Sequence, residues 1–137
     1  MIGTLLDWLR DVRRRRIWSA ELAKGRCGED LVHRFLRRQG FTIVARNYRL
    51  SAGDAEADLI AWEGDALVIV EVKTRETDQY GAPERAIGEG KQAHLVRVAR
   101  EFARKTETPW ERVRFDVVTV ILGRPPRLAL FRGAFRR

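Results

Sequence analysis

The 137-residue chain has a single cysteine, Cys27, and only two histidines, His33 and His94. One thiol excludes an intramolecular disulfide and a cysteine zinc cage, and two imidazoles exclude a multi-histidine metal centre. No apolar run approaches the roughly 20 residues that span a bilayer. There is no Gly-x-Ser-x-Gly elbow, which argues against a serine hydrolase. No dinucleotide glycine fingerprint follows the first strand. Gly88-Glu89-Gly90-Lys91 falls short of a phosphate loop, because Arg85 stands at its first glycine and Gln92 at its Ser or Thr. Nothing here calls for an oxidising compartment, so a cytoplasmic location is expected. The length suits one domain with one core.

What is plentiful is arginine, and its placement is uneven. The net charge is +8. Residues 1–24 hold six basic and three acidic side chains, and residues 124–137 hold five arginines and no acid. The stretch 25–123 is neutral, with sixteen of each sign. Basic ends favour polyanions such as nucleic acid. Solubility, or an arginine-rich genome, is the plainer account. In the N-terminal arm, residues 1–18, Leu5, Leu6, Trp8, Leu9 and Val12 precede Arg13, Arg14, Arg15 and Arg16. Asp7 and Asp11 interrupt the apolar part and the basic run follows it, the reverse of a signal peptide. The arm reads as a short amphipathic helix or a frayed arm, with contact to a membrane surface the weaker expectation.

The spacing predicts a helix from Ser19 to Gln39, capped by Ser19 and stopped by Gly40, with Cys27, Leu31, Phe35, Val32 and Leu36 on its apolar stripe. The period then becomes two. Phe41, Ile43 and Ala45 share a face of a first strand. Ser51-Ala52-Gly53-Asp54 turns into a second strand, Glu56–Trp62. A three-residue connection, Glu63-Gly64-Asp65, leads to a third, Ala66–Val72, which is apolar on both faces and so central in a covered sheet. Residues 74–83 form a polar loop. A second helix, interrupted near Gly88 and Gly90, is strong from Lys91 to Lys105, with Leu95, Val98, Ala99 and Phe102 buried. Val113–Leu122 is a strand. Residues 123–137 form a basic extension with an edge strand at Leu128–Phe131. Removing residues 1–18 and 132–137 is expected to weaken DNA attraction and leave the fold intact. The domain proper, residues 19–122, is α/β with a mixed sheet.

The chemistry gathers at Asp58 and at Glu71-Val72-Lys73. Glu71 and Lys73, two apart on a strand, project from one face at the end of the most buried strand. A hairpin centred on Gly64 brings Asp58 near Val70 or Glu71. Buried carboxylates are costly unless a cation pairs with them. Two carboxylates with a lysine suit magnesium or manganese and phosphodiester hydrolysis. A structural Glu71–Lys73 ion pair with an exposed Asp58 is the competing account. Glu56 shares a face with Asp58 and serves either as support to the metal ligands or as a solvated residue. Arg49 and Arg75 can clamp phosphates. Lys91 and Gln92 start a helix, where a phosphate can be received, or are simply solvated. Tyr48 and Tyr80 are candidates for stacking on bases. Trp8, Trp18, Trp62 and Trp110 are more readily packing residues.

These pieces, in this order, resemble the restriction-endonuclease-like PD-(D/E)XK nuclease superfamily. More closely, the chain resembles the bacterial YraN-like family of predicted endonucleases, itself similar to archaeal Holliday-junction resolvases. The matching pieces are Gly25-x-x-Gly28-Glu29, Gln39-Gly40-Phe41, Ala45-Arg46-Asn47-Tyr48-Arg49, Glu56-x-Asp58-Leu59-Ile60-Ala61, Val70-Glu71-Val72-Lys73-Thr74-Arg75, Tyr80-Gly81-x-Pro83, Lys91-Gln92 and Arg114-Phe115-Asp116-Val117-Val118. The resemblance implies an α-β-β-β-α-β core with its sheet flanked by helices. It implies a metal held by Asp58 and Glu71, with Glu29 and the Val72 backbone carbonyl completing the set, and Lys73 serving the water. It also implies DNA as the partner, branched forms included, for which a homodimer is suited. A nucleic-acid binder that keeps the fold without the chemistry is the alternative. The family pattern has Gly-Glu-x-Asp, whereas here Asp54-Ala55 separates Gly53 from Glu56.

Overall fold

The computed structural model describes residues 19–76 and 87–136, with side chains in the first helix from Glu29 onward. Residues 1–18, including Arg13–Arg16, Trp8 and Trp18, lie outside the described residues, as do Tyr80, Gly81, Pro83, Arg137 and the side chains of Ser19 and Cys27. The order is α1 (Ser19–Arg38), β1 (Thr42–Arg49), β2 (Glu56–Glu63), β3 (Ala66–Arg75), α2 (Glu89–Lys105), β4 (Val113–Ile121) and β5 (Arg127–Phe135). The strands lie in chain order in one five-stranded sheet. β3 and β4 are parallel, joined through α2, and the other neighbours are antiparallel. The fold is mixed α/β. Among the described residues no helix is long and apolar enough to cross a membrane.

β3 is the middle strand, and its sequence shows why. Val68 and Val70 pack with Val32 and Leu36 of α1, while Leu67 and Ile69 pack with Leu95, Val98 and Ala99 of α2. Burying each such side chain contributes about 1.5–3 kcal/mol. Gly40, at φ +96°, ends α1. Its N–H donates to the Arg37 carbonyl and that of Phe41 to the Leu36 carbonyl, which ties off the last turn.

Several expectations need correction. The register shifts between Ile43 and Ala45. Phe41 and Ile43 therefore face α1, but the extra residue turns Ala45 to the α2 side. The β2–β3 connection is Gly64-Asp65 alone, because Glu63 pairs with Ala66. Gly64 at φ +59° supplies the left-handed residue that such a tight turn requires. α2 runs unbroken from Glu89, with Gly88 as its N-cap. Gly90 sits in the first turn, where N–H groups have no intrahelical partner to lose. Ala103 is buried beside Leu95, Val98 and Ala99, and Phe102 is half-buried, edge-on to Tyr48 at 5.3 Å. β3 continues through Lys73, Thr74 and Arg75, held by its parallel pairing with β4 out to Ile121.

The edge strand runs past Phe131 to Phe135. Arg132 donates to Glu63, the Gly133 N–H donates to Asp116 at 3.0 Å, and Phe135 stacks on Phe115 at 4.7 Å. Residues 132–135 are thus part of the fold, and cutting at 132 would damage it.

Candidate active site

The β2–β3 ladder stops at the rung Leu59–Val70. The next rung would set Asp58 opposite Glu71. Instead the Asp58 carboxylate accepts the Val72 N–H at 2.8 Å, and the side chain takes the place of the ladder. On the other side of β2, Asn47 adopts φ 49° between the rungs Arg46–Leu59 and Tyr48–Ala57. The alternation of β2 slips at this level. Ala57 and Ile60, three apart, both join the α2-side core, while Leu59 and Ala61 join the α1 side. Period-two counting from Glu56 therefore does not carry across Asp58.

Glu71 lies on the α2 side of β3 and is 4% exposed. Burial, and then the Asp58 carboxylate within hydrogen-bonding reach, push it up to about 8, against the opposing charges of Lys91 and Lys73. Its Oε2 is buried and has no hydrogen-bond donor. Lys91 Nζ stands 3.5 Å away, an ion-pair distance without hydrogen-bond alignment. The same ammonium donates to the Glu56 carbonyl at 3.1 Å.

Glu29, on α1, is also raised, first by burial and then by the charge of Asp58, with Asn47 and Arg46 opposing. Arg46 is 4.0 Å from Glu29 and 2.7 Å from Asp30. Among the described residues no three His, Cys, Asp or Glu side chains stand close enough to hold a metal by themselves. The arrangement is a carboxylate pair, Asp58 with Glu71, overlooked by Glu29. Two carboxylates suffice for magnesium, which keeps several waters, and a buried carboxylate oxygen without a donor is what a hard cation would satisfy.

The remaining candidates divide. Arg49 is exposed and donates to the Glu56 carboxylate at 2.9 Å, so Glu56 is occupied by it. Arg75 ends β3 and donates to the Thr74 carbonyl. Gln92 donates to the Ile87 carbonyl at 3.0 Å, fastening the start of α2. Tyr48 donates to Glu101 at 2.7 Å, accepts from Lys105 at 3.0 Å and packs on Phe102. It is a packing residue, not a free stacking platform. Trp62 and Trp110 pack against the α2-side core.

Two site features escaped sequence reasoning. The first is Asn47, whose signal was an asparagine inside a strand pattern, since asparagine is poor in strands and enriched at positive φ. The second is the direction of Lys91. Only tertiary packing shows that it turns inward to Glu71 rather than outward to solvent.

Residues 28–120, which span Glu29 to β4, match the family described as "Uncharacterised protein family UPF0102". A UPF0102 protein of Solibacter usitatus is 47% identical over 135 residues, covering 98% of this chain and 100% of that protein. One from Rhodococcus opacus is 47% identical over 106 residues, covering 77% and 88%. One from Dictyoglomus thermophilum is 35% identical over 104 residues, covering 76% and 86%.

Proposed function

The chain belongs to the UPF0102 family, and from the site on its fold we propose that it is a divalent-metal-dependent endonuclease that hydrolyses DNA phosphodiester bonds. The observation that carries the reading is the Glu71 carboxylate, buried beside Asp58 with one oxygen lacking a donor. A fold accepts that cost where a cation or a reaction uses it. The resemblance to the restriction-endonuclease-like superfamily agrees with a carboxylate pair where two central strands part.

In this reading Asp58 and Glu71 hold magnesium or manganese, with Glu29 and the Val72 carbonyl as further ligands. The bound ion supplies Lewis acidity toward a phosphoryl oxygen and a nucleophilic water near neutral pH. The Val72 N–H, donating to Asp58 at 2.8 Å, restricts how that carboxylate turns. Lys73, on the face of β3 that carries Glu71, holds a positive charge where the attacking water must be oriented. Arg49 and Arg75 meet flanking phosphates, and Arg13–Arg16 add non-specific attraction. Branched DNA and a homodimer belong to the same proposal.

The full chain, incubated with linear, single-stranded and four-way DNA, is expected to cleave only with magnesium or manganese. Asp58→Asn and Glu71→Gln should abolish cleavage. Lys73→Ala should lower it by about 10²-fold or more while DNA affinity stays within a few-fold. Full cleavage by Lys73→Ala refutes its role. One observation favours a second reading, a binder without chemistry: Lys91 already offsets Glu71. Absence of cleavage by the wild type on every DNA and RNA form, with DNA binding intact, selects that reading.

A further inference from the structure

The ammonium of Lys91 stands 3.5 Å from the donor-less Oε2 of Glu71, and it reaches there from α2, an element that also borders an adjoining cleft. That cleft has a volume of about 270 Å³ and is lined by Arg49, Asp54, Glu56, Lys91 and His94 among others. Both acids on its rim already have partners. Glu56 accepts from Arg49 at 2.9 Å, and Asp54 pairs with Arg97 at 2.9 Å. With the Lys91 ammonium engaged by Glu71, the charges around the cleft balance. Released from Glu71, the same side chain, which already lines the cleft, gives the rim a positive charge.

We propose that Lys91 is a tethered counterion that holds Glu71 in the metal-free protein and, displaced by a divalent cation, turns into the adjoining cleft to bind a backbone phosphate of DNA. The inference rests on the metal-dependent reading above. Lys91 is 37% exposed at its side chain, and lysine is a flexible point charge on a four-carbon stem, suited to two positions. A divalent cation brought to the pair repels the ammonium at 3.5 Å and supplies the charge the ammonium had offset. The pull of Glu71 is then gone, the bond to the neutral Glu56 carbonyl at 3.1 Å is what remains, and the neighbouring polyanion supplies a charged partner that competes with it. Metal loading and DNA binding are thereby coupled through one side chain, and the coupling is reciprocal.

The test is calorimetric titration of the full chain with Mn²⁺, together with the anisotropy of a short labelled duplex with and without Ca²⁺. Lys91→Met should bind Mn²⁺ about tenfold more tightly than wild type, within the 5- to 150-fold range of typical couplings. A dication gains twice what a competing proton gains from loss of the ammonium, so the sign holds at fixed pH. Lys91→Arg, which keeps a charge, should stay within a few-fold of wild type and shows that the effect is electrostatic. Glu71→Gln should lose Mn²⁺ binding altogether. Ca²⁺ should raise duplex affinity in wild type, and Lys91→Met should lose most of that rise. Equal or weaker Mn²⁺ binding by Lys91→Met, with wild type still binding and Glu71→Gln not, overturns the counterion role and leaves the metal site standing. Absence of Mn²⁺ binding by wild type and Lys91→Met alike overturns the metal-dependent reading and this inference with it.

Discussion

The sheet holds two pairs of acids, each with one buried member, and treats them oppositely. In the first pair Asp116, 1% exposed, accepts Arg114 through both oxygens at 2.8 Å and the Gly133 N–H at 3.0 Å. Glu63 beside it accepts Arg114 at 2.6 Å and Arg132 at 2.9 and 2.6 Å. Hydrogen bonding from Arg132, then from Arg114, holds Glu63 down at about 2. The same network, through Asp116 first, raises Arg114. In the second pair Asp58 has one backbone donor, and Glu71 has an ammonium at 3.5 Å and is pushed up to about 8. Residue type does not decide the outcome, since both pairs use one Asp and one Glu. The number of aligned donors does. The arginine-bound pair fastens β5 to β2 and β4. The underpaired acids carry an electrostatic cost that only a proton or a cation relieves, which is why function is assigned there.

The largest expected effect breaks the arginine-bound pair. Asp116→Ala leaves the half-buried Arg114 guanidinium to Glu63 alone and frees the Gly133 N–H. Removing one partner of a buried pair costs about 3–5 kcal/mol, so the urea midpoint should fall steeply. A midpoint unchanged from wild type would show that the network is decorative and the contrast false. Next in size is divalent cation at the underpaired acids. At 100 times its dissociation constant it stabilises by about 2.7 kcal/mol. Melting temperature should rise with Mn²⁺ in wild type and in Glu63→Gln, but not in Asp58→Asn or Glu71→Gln. Equal rises in all four proteins would remove the distinction between the pairs.

Much of this was legible in the sequence, and the failures have physical causes. β3 announced its central place through a run apolar on both faces, and the Asp58–Glu71 neighbourhood followed from the hairpin despite its connection being one residue shorter. Gly40 marked the end of α1 because only a left-handed residue closes that turn. What was hidden depended on departures from ideal period. The bulge before Ala45 and the slip at Asn47 and Asp58 turn faces over, and no periodic count foresees an extra residue. The Arg114–Asp116–Glu63–Arg132 network joins three strands, two of them far apart in the chain. Glu63 read as part of a turn, and residues 132–137, which carry Arg132, looked like a detachable basic end. Lys91 was visible as a helix-start cation. Its inward direction depends on where α2 crosses the sheet.

The smallest effect sharpens the comparison, because the two pairs must respond to pH with opposite signs. Glu71 is raised in the fold from 4.5 to about 8. Between these values the folded protein binds more protons than the unfolded chain, so stability is full below about 4.5 and is lost as pH rises through about 8. Glu63 is lowered from 4.5 to about 2. Its contribution is full above about 4.5 and is lost as pH falls through about 2. Each slope is at most about 1.4 kcal/mol per pH unit for one proton. Other groups titrate in the same windows. Glu29 is raised and adds to the neutral-side loss, while His33 is lowered by burial and opposes it. The readout is therefore the difference between wild type and each variant in metal-free buffer. Glu71→Gln should flatten the decline between pH 4.5 and 8 and leave the acid limb alone. Glu63→Gln should change only the acid limb, its stability deficit relative to wild type shrinking below pH 4.5. If Glu71→Gln declines between pH 5 and 8 as steeply as wild type, Glu71 is not the strained carboxylate, and the two pairs of acids differ in hydrogen bonding without differing in cost.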